Sequence, residues 1–234
     1  MNASRPRIAV VTFPGSNDDG DALLALERLG AATVPVWHAD QRLPDVGAVV
    51  LPGGFSYGDY LRCGAIARFS PAMKAVCQFA AEGGLVLGIC NGFQILCEAG
   101  LLPGVLRPNT SLAFISRDVD LRVERTDTPF TAGCHPRQRL TIPIKHGEGC
   151  WFADDELFAE VEARRQIVLR YEQNPNGSIG DVAGVCNEQG NVMGLMPHPE
   201  HAVDPLLGST DGALILSALV EAVRASSRGI RAAS

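Results

Sequence analysis

The chain has 234 residues, 46% of them hydrophobic and 20% charged, and a formal net charge of -6. That length suffices for one sizeable buried core, so we expect a single domain covering residues 1–234. The acidic balance offers no basic surface for nucleic acid, and no apolar run approaches the roughly 18 residues of a membrane span. With no signal-peptide pattern at the N-terminus, we expect a cytoplasmic protein without nucleic-acid or membrane partners.

The first half of the sequence alternates short β-branched apolar runs with helical stretches. This alternation is typical of a parallel sheet with helices on both faces. The predicted strands are 8–13, 32–37, 48–51 and 85–89, and the predicted helices are 19–29, 71–82 and 92–99. The sequence therefore predicts an α/β fold.

The second half has shorter β segments separated by Gly and Asn turns, which favours mixed or antiparallel strands. These segments are 121–124, 139–144, 167–171, 182–186 and 192–196. An amphipathic helix is predicted at 206–223, and residues 225–234 are predicted to be a frayed tail, which leaves about 7–224 structured.

Cysteines offer one candidate nucleophile. The seven cysteines are odd in number and scattered, so neither a disulfide framework nor a zinc site is indicated. Cys90 differs from the others because it ends a predicted buried strand and precedes a predicted helix, within the sequence GICNGFQ. Glycines on either side permit a sharp turn that exposes the sulfur, and the helix N-terminus favours a thiolate. By analogy with serine hydrolases, the main-chain N–H of Asn91 would receive an oxyanion.

A nucleophilic cysteine needs an imidazole to move protons and a carboxylate to orient that imidazole. His198 lies just beyond a predicted strand end, and Glu200 follows two residues later in a stretch stiffened by two prolines. The rival histidine is His146, which has Glu148 nearby and glycine neighbours, and we interpret it as part of a binding loop. No histidine has the spacing of a metal motif such as H-E-x-x-H, so no metal site is predicted.

The stretch GICNGFQ and the segment with His198 and Glu200 together resemble the class I (triad) glutamine amidotransferases. The signature of that family is Gly-x-Cys-x-Gly-x-Gln followed far downstream by His-x-Glu. More narrowly, the chain is similar to the family of glutaminase subunits of phosphoribosylformylglycinamidine synthase. The narrower similarity is carried by five stretches in the expected order: FPGSN at 13–17, PGGFSYGDYLR at 52–62, GICNGFQ at 88–94, HGEG at 146–149 and NPNGS at 174–178.

The resemblance implies a flavodoxin-like, three-layer fold with a mainly parallel central sheet and additional antiparallel strands. It also implies that Cys90 attacks the side-chain amide of L-glutamine, His198 shuttles the proton and Glu200 orients His198. Gly53 and Gly54 look like the second arm of the oxyanion hole, and Gln94 looks like a substrate contact.

The implied partners are a synthetase subunit and a small accessory subunit. The synthetase would use ATP and Mg²⁺, together with the released ammonia, to convert formylglycinamide ribonucleotide to the amidine. No cofactor is expected in this chain, which lacks a G-x-x-x-x-G-K-[ST] signature. The exposed run 57–62 is a plausible docking surface for that partner. One departure from the family pattern is His201, where an arginine is expected.

Three alternatives stay open on the sequence. One is an amidotransferase subunit of another pathway, although such subunits share the Cys turn but not the SYGDYLR run or the NPNGS turn. Another is a cysteine hydrolase or stress protein of related flavodoxin-like fold, which usually lacks a downstream His-x-Glu. The third is a non-catalytic interaction module, against which the intact Cys90, His198 and Glu200 argue.

Overall fold

The computed structural model describes the backbone of residues 5–232 and the side chains of residues 5–226. This range contains eleven strands, five α-helices and several short 3₁₀ turns. The strands are β1 (Arg7–Thr12), β2 (Ala32–Trp37), β3 (Ala48–Leu51), β4 (Leu85–Ile89), β5 (Val105–Arg107), β6 (Ile115–Val123), β7 (Arg139–His146), β8 (Cys150–Phe152), β9 (Ile167–Tyr171), β10 (Val182–Cys186) and β11 (Val192–Leu195). The helices are α1 (Asp19–Arg28), α2 (Pro71–Ala81), α3 (Asn91–Glu98), α4 (Asp155–Ala163) and α5 (Gly212–Ala232).

A nine-stranded sheet of order β2-β1-β3-β4-β11-β10-β9-β6-β7 forms the centre of the described structure. The five strands from β2 to β11 run parallel, and the remaining four pair in antiparallel fashion. Strands β5 and β8 form a separate antiparallel pair. The predicted α/β fold, with a parallel centre and additional antiparallel strands, is therefore confirmed.

Apolar burial fixes the parallel half of the sheet. All four residues of β3, four of the five in β4 and the central four of the six in β1 are buried, which is the continuous apolar pattern of strands covered on both faces. The connection from β1 to β2 leads toward one edge of the sheet, and the connection from β3 to β4 leads the other way. Because such crossovers are right-handed, α1 and α2 cover opposite faces.

The direction change between β1 and β3 has a functional consequence. In open α/β sheets, ligands bind outside the carboxyl ends of the strands near such a switch point. Here the carboxyl ends of four neighbouring strands, β1, β3, β4 and β11, lie side by side. The loops that follow these four strands carry most of the residues discussed below.

Three elements were missed by the sequence patterns. Helix α4 has only nine residues, fewer than the roughly 11–18 over which a helical period is recognised, and its apolar face is limited to buried Val161 and partly buried Leu157 and Phe158. Its start is also fixed locally, because the side chain of Asp154 accepts a hydrogen bond from the Leu157 N–H at 2.9 Å. Strands β5 and β8 are only three residues long, too short to show a period.

The C-terminal helix differs from its predicted bounds at both ends. Pro205–Leu207 forms a 3₁₀ turn, and the helix begins only at Gly212. It then continues to Ala232, through residues predicted to be a frayed tail. Residues 233 and 234 of the predicted tail lie outside the described residues. None of the helices in the described range is both long and apolar enough to cross a membrane.

We expect Gly92→Ala to destabilise the protein although alanine is the better helix former. A methyl group at Gly92 would overlap the Leu51 carbonyl oxygen at the end of β3, and overpacking of this kind costs about 1–3 kcal/mol. Urea unfolding measures the loss. Gly20→Ala is the matched control, because nothing lies within 4 Å of the added methyl in α1, and there alanine should be neutral or stabilising by up to about 1 kcal/mol. Equal stability of the two variants would contradict the packing assigned to Gly92.

Candidate functional site

Cys90 occupies a strained turn between β4 and α3. Its backbone has φ 51° and ψ -104°, a combination that non-glycine residues rarely adopt and that costs on the order of 1–3 kcal/mol. Gly88 and Gly92 flank the turn, and a Cβ at either position would overlap neighbouring atoms. The Cys90 side chain is 5% exposed, and its Sγ lies 3.8 Å from the carbonyl oxygen of Lys145. The predicted elbow is therefore present, with the N-terminus of α3 directed at the sulfur.

His198 and Glu200 form a buried pair in the segment that follows β11. The Nδ1 atom of His198 donates a hydrogen bond to Glu200 Oε1 at 2.6 Å, and both side chains are almost fully buried. Within residues 5–226, His198 Nε2 has no hydrogen-bond partner, which leaves this nitrogen available to the thiol. Burial alone would lower the pKa of His198, but the charges of Glu200 and Cys90 outweigh it and raise the pKa to about 10. His198 therefore favours the imidazolium form at neutral pH.

Gly53 and Gly54 follow β3 and lie against this pair. A Cβ at Gly53 would stand 2.7 Å from His198 Cε1, so only glycine fits between the ring and the strand end. The Gly53 carbonyl accepts hydrogen bonds from the N–H groups of Asn17 and Asp18 at 3.2 and 3.3 Å. Gly54 has φ 142°, in the region that favours glycine. The oxyanion role of both glycines stays a prediction.

Asn91 and Gln94 connect α3 to two surrounding loops. Asn91 is the first residue of α3, where a backbone N–H has no acceptor within the helix and can serve an oxyanion. Its side chain accepts from the Ser56 N–H at 3.1 Å and donates to Gln94 Oε1 at 2.8 Å. Gln94 in turn donates to the carbonyl of Glu148 at 2.6 Å. Gln94 thus links α3 to loop 147–149 by a hydrogen bond. Its contact with substrate stays a prediction.

His146 is the last residue of β7 rather than part of a loop. Its ring is buried, with Nδ1 3.0 Å from Asn109 Oδ1. Burial and the nearby charge of His198 lower the pKa of His146 to about 4, so the ring is neutral at neutral pH. The loop next to His146 is therefore 147–149, and its role in binding stays a prediction.

Asp18 and Lys145 were missed by the sequence analysis. Asp18, in the loop between β1 and α1, is 3% exposed and forms an ion pair with Lys145 of β7. Its Oδ2 lies 3.6 Å from His198 Nδ1, and its Oδ1 lies 3.4 Å from His201 Nε2. Burial would raise the pKa of Asp18, but the hydrogen bonds from His201 and Lys145 hold it well below its usual range. A polar residue just beyond a parallel strand was the available signal.

Comparison with known proteins gives a consistent family. Residues 5–211 match the family described as CobB/CobQ-like glutamine amidotransferase domain. The chain is 59% identical to phosphoribosylformylglycinamidine synthase subunit PurQ of Rubrobacter xylanophilus, covering 92% of this chain and 97% of that one. It is 53% identical to the protein of the same name from Salinibacter ruber, covering 93% and 97%.

Solved structures agree with this. The chain resembles one from the structure of PurLQS from Thermotoga maritima, with a TM-score of 0.86 and 47% identity over 93% of this chain and 98% of that chain. A glutamine amidotransferase from Thermotoga maritima has a TM-score of 0.60, covering 94% of this chain and 98% of that chain. Because its identity is only 17%, that second likeness supports the fold alone.

We expect Asp18→Asn to destabilise the protein by about 1–3 kcal/mol, since it removes the buried partner of Lys145. Chemical denaturation followed by circular dichroism measures the difference. Glu188→Gln provides the control because it breaks the pair with Arg164, in which both side chains are about half exposed, and such pairs contribute about 0–1 kcal/mol. A loss no larger for Asp18→Asn than for Glu188→Gln would show that the ion pair at the site does not stabilise the fold.

Proposed function

The chain belongs to the CobB/CobQ-like glutamine amidotransferase family, and we infer that it is the glutaminase subunit of a phosphoribosylformylglycinamidine synthase. It hydrolyses L-glutamine to glutamate and supplies ammonia to a synthetase subunit in purine biosynthesis. The relatives at 53–59% identity over more than nine-tenths of the chain support this pathway. The observation that carries the chemistry is the strained Cys90 turn beside the buried His198–Glu200 pair.

The proposed reaction begins with the thiolate of Cys90. Its sulfur attacks the side-chain amide carbon, forming a C–S bond while the carbonyl π electrons move to oxygen. The oxyanion is received by the N–H groups of Asn91 and of the loop at Gly53 and Gly54. The His198 imidazolium gives its Nε2 proton to the amide nitrogen, and ammonia leaves as the C–N bond breaks.

The second half of the reaction releases the acyl group. Neutral His198 takes a proton from water, whose oxygen attacks the thioester carbon. Collapse of this intermediate breaks the C–S bond, which gives glutamate and restores the Cys90 thiolate and the His198 imidazolium. Glu200 holds the ring so that Nε2, rather than Nδ1, faces the sulfur throughout.

The synthetase subunit is the partner that consumes the ammonia, converting formylglycinamide ribonucleotide to formylglycinamidine ribonucleotide. We propose that ATP and Mg²⁺ belong to that subunit, that no cofactor is needed in this chain, and that a small accessory subunit completes a cytoplasmic complex. The support is the similarity to one chain of a structure whose name, PurLQS, denotes an assembly.

We propose that the synthetase docks on an apolar lip formed by Phe55, Tyr60, Leu61, Leu112 and Phe114. These side chains are all strongly exposed, and the rings of Phe55 and Phe114 lie 6.4 Å apart, which joins the two loops that carry them. Both loops are hydrogen-bonded to residues of the site. The Ser56 N–H donates to Asn91, and Asn109 donates to the carbonyl of His146. A partner covering this lip would receive ammonia beside Cys90 and exclude water.

A diazoketone analogue of glutamine should alkylate Cys90 alone among the seven cysteines. Peptide mass spectrometry of the labelled chain identifies the site, and Cys90→Ser should abolish the label. Cys63→Ser is the control because Cys63 is also partly buried near α3, and burial with the carboxylates of Asp59 and Glu148 raises the pKa of its thiol. Labelling that survives Cys90→Ser, or that is lost in Cys63→Ser, would refute the nucleophile assignment.

Leu61→Asp should weaken binding to the synthetase subunit by about tenfold or more, because it places a charge in the apolar lip. Glutamine-dependent amidine formation should fall, whereas formation from added ammonium chloride should not change. The matched control is Leu206→Asp, because Leu206 is as exposed, 91% against 89%, but belongs to the turn whose Asp204 pairs with Arg28 at the end of α1. Equal effects of the two variants would show that the lip is not the docking surface.

A further inference from the structure

Asn109 is a fully buried residue of the loop between β5 and β6, and the reaction proposed above does not use it. Its side-chain Oδ1 accepts from the Gly149 N–H at 3.0 Å and lies 3.0 Å from His146 Nδ1. Its Nδ2 donates to the carbonyls of Ala113 and His146, both at 2.9 Å. A carboxamide can make four hydrogen bonds, and here all four are made within the protein.

These partners determine which atoms of the Asn109 amide donate and which accept. The Gly149 N–H can only donate, so it faces the amide oxygen, whereas the two carbonyls can only accept, so they face the amide nitrogen. His146 Nδ1 must therefore carry a proton to bond the same oxygen. The neutral ring then has a lone pair on Nε2, which is buried and has no hydrogen-bond partner within the described side chains. A buried acceptor of this kind is costly unless a bound molecule supplies a donor.

Asn109 also determines the path of loop 147–149. Its backbone N–H donates to the Gly147 carbonyl at 2.9 Å, and its side chain bonds the chain on both sides, at the His146 carbonyl and the Gly149 N–H. Because glycine is conformationally permissive, a loop with glycine at its first and last positions has little rigidity of its own. The order of this loop therefore depends on the bonds that Asn109 supplies.

Both features held by Asn109 are adjacent to the Cys90 turn. Gln94 of α3 donates to the carbonyl of the middle residue of the loop at 2.6 Å. Lys145, directly before His146, presents its carbonyl 3.8 Å from the Cys90 sulfur. Burial and then the charge of His198 lower the pKa of the His146 ring, so the two rings lie within electrostatic reach.

We propose that Asn109 is a positioning residue for glutamine binding, which holds loop 147–149 and the His146 ring in the arrangement that receives the substrate. Without its side chain, the loop would have to be ordered when glutamine binds, and that entropy cost would weaken substrate affinity. None of its hydrogen bonds within residues 5–226 goes to Cys90 or His198, so the reactivity of the thiol does not depend on it. The inference rests on the glutaminase function proposed above.

The test uses the full chain and the diazoketone analogue of glutamine, with the rate of Cys90 labelling measured against analogue concentration. Asn109→Ala should raise the half-saturating concentration at least about tenfold, which corresponds to about 1.4 kcal/mol, without changing the maximal labelling rate. Iodoacetamide, which needs only an accessible thiolate, should alkylate Cys90 at an unchanged rate. Should Asn109→Ala not fold, Asn109→Ser is measured with the same expectation, because a single hydroxyl cannot replace four hydrogen bonds.

Asn191→Ala is the matched control for the loss of a buried asparagine. The Asn191 side chain donates to the carbonyls of Ala80 and Gly84 at 2.8 and 2.9 Å, so it also joins separate parts of the chain. It precedes β11 at the end of the sheet opposite to Cys90, because β11 runs parallel to β4. Asn191→Ala should lower stability without changing the half-saturating concentration of the analogue.

Two results would overturn the proposal. One is a half-saturating concentration no higher in the Asn109 variant than in Asn191→Ala. The other is an equal slowing of labelling by iodoacetamide and by the glutamine analogue, which would place the effect of Asn109 at the Cys90 turn. A natural chain in which iodoacetamide alkylates Cys90 but the glutamine analogue does not would instead contradict the proposed function.

Discussion

The conformation of Cys90 is the constraint on which the rest of the site depends. A positive φ at a non-glycine residue is held only because the surrounding structure overdetermines it, at a cost of about 1–3 kcal/mol. Buried strand β4 fixes one side of the turn, and helix α3, pressed against the end of β3 at Gly92, fixes the other. Because both neighbours are part of the core, the sulfur position is set by folding itself rather than by substrate binding.

Around that sulfur, three chain segments hold the charged groups of the site. The loop after β1 contributes Asp18, the end of β7 contributes Lys145, and the segment after β11 contributes His198 and Glu200. Asp18 meets both Lys145 and His198 across long stretches of sequence, so the site exists only when the sheet is complete. Lys145 also presents its backbone carbonyl to the Cys90 sulfur, which joins the charged groups of the site to the Cys90 turn.

The sequence predicted most of the parallel half of the fold and the triad, for physical reasons. Strands such as Ala48–Leu51 and Leu85–Ile89 are continuous apolar runs with glycine close by, and their predicted bounds match the observed ones. The Cys90 turn and the His198–Glu200 spacing are local patterns. Asp18 could not be assigned in the same way, because its partner Lys145 is 127 residues away and the pair forms no local pattern. Helix α4 was missed because its nine residues carry only a short apolar face and its start depends on the Asp154 cap.

The charges around His198 set the protonation state of its ring. A carboxylate at 2.6 Å and a second at 3.6 Å both favour the imidazolium, which is the form that must stand beside a thiolate before attack. Lys145 offsets part of this negative charge by pairing with Asp18. His201 contacts the other side of the site at 3.4 Å from Asp18 Oδ1, whereas an arginine at that position would add a fixed positive charge. The negative field at the His198 ring is therefore set mainly by Glu200 and Asp18, two residues that the sheet brings together from opposite ends of the chain.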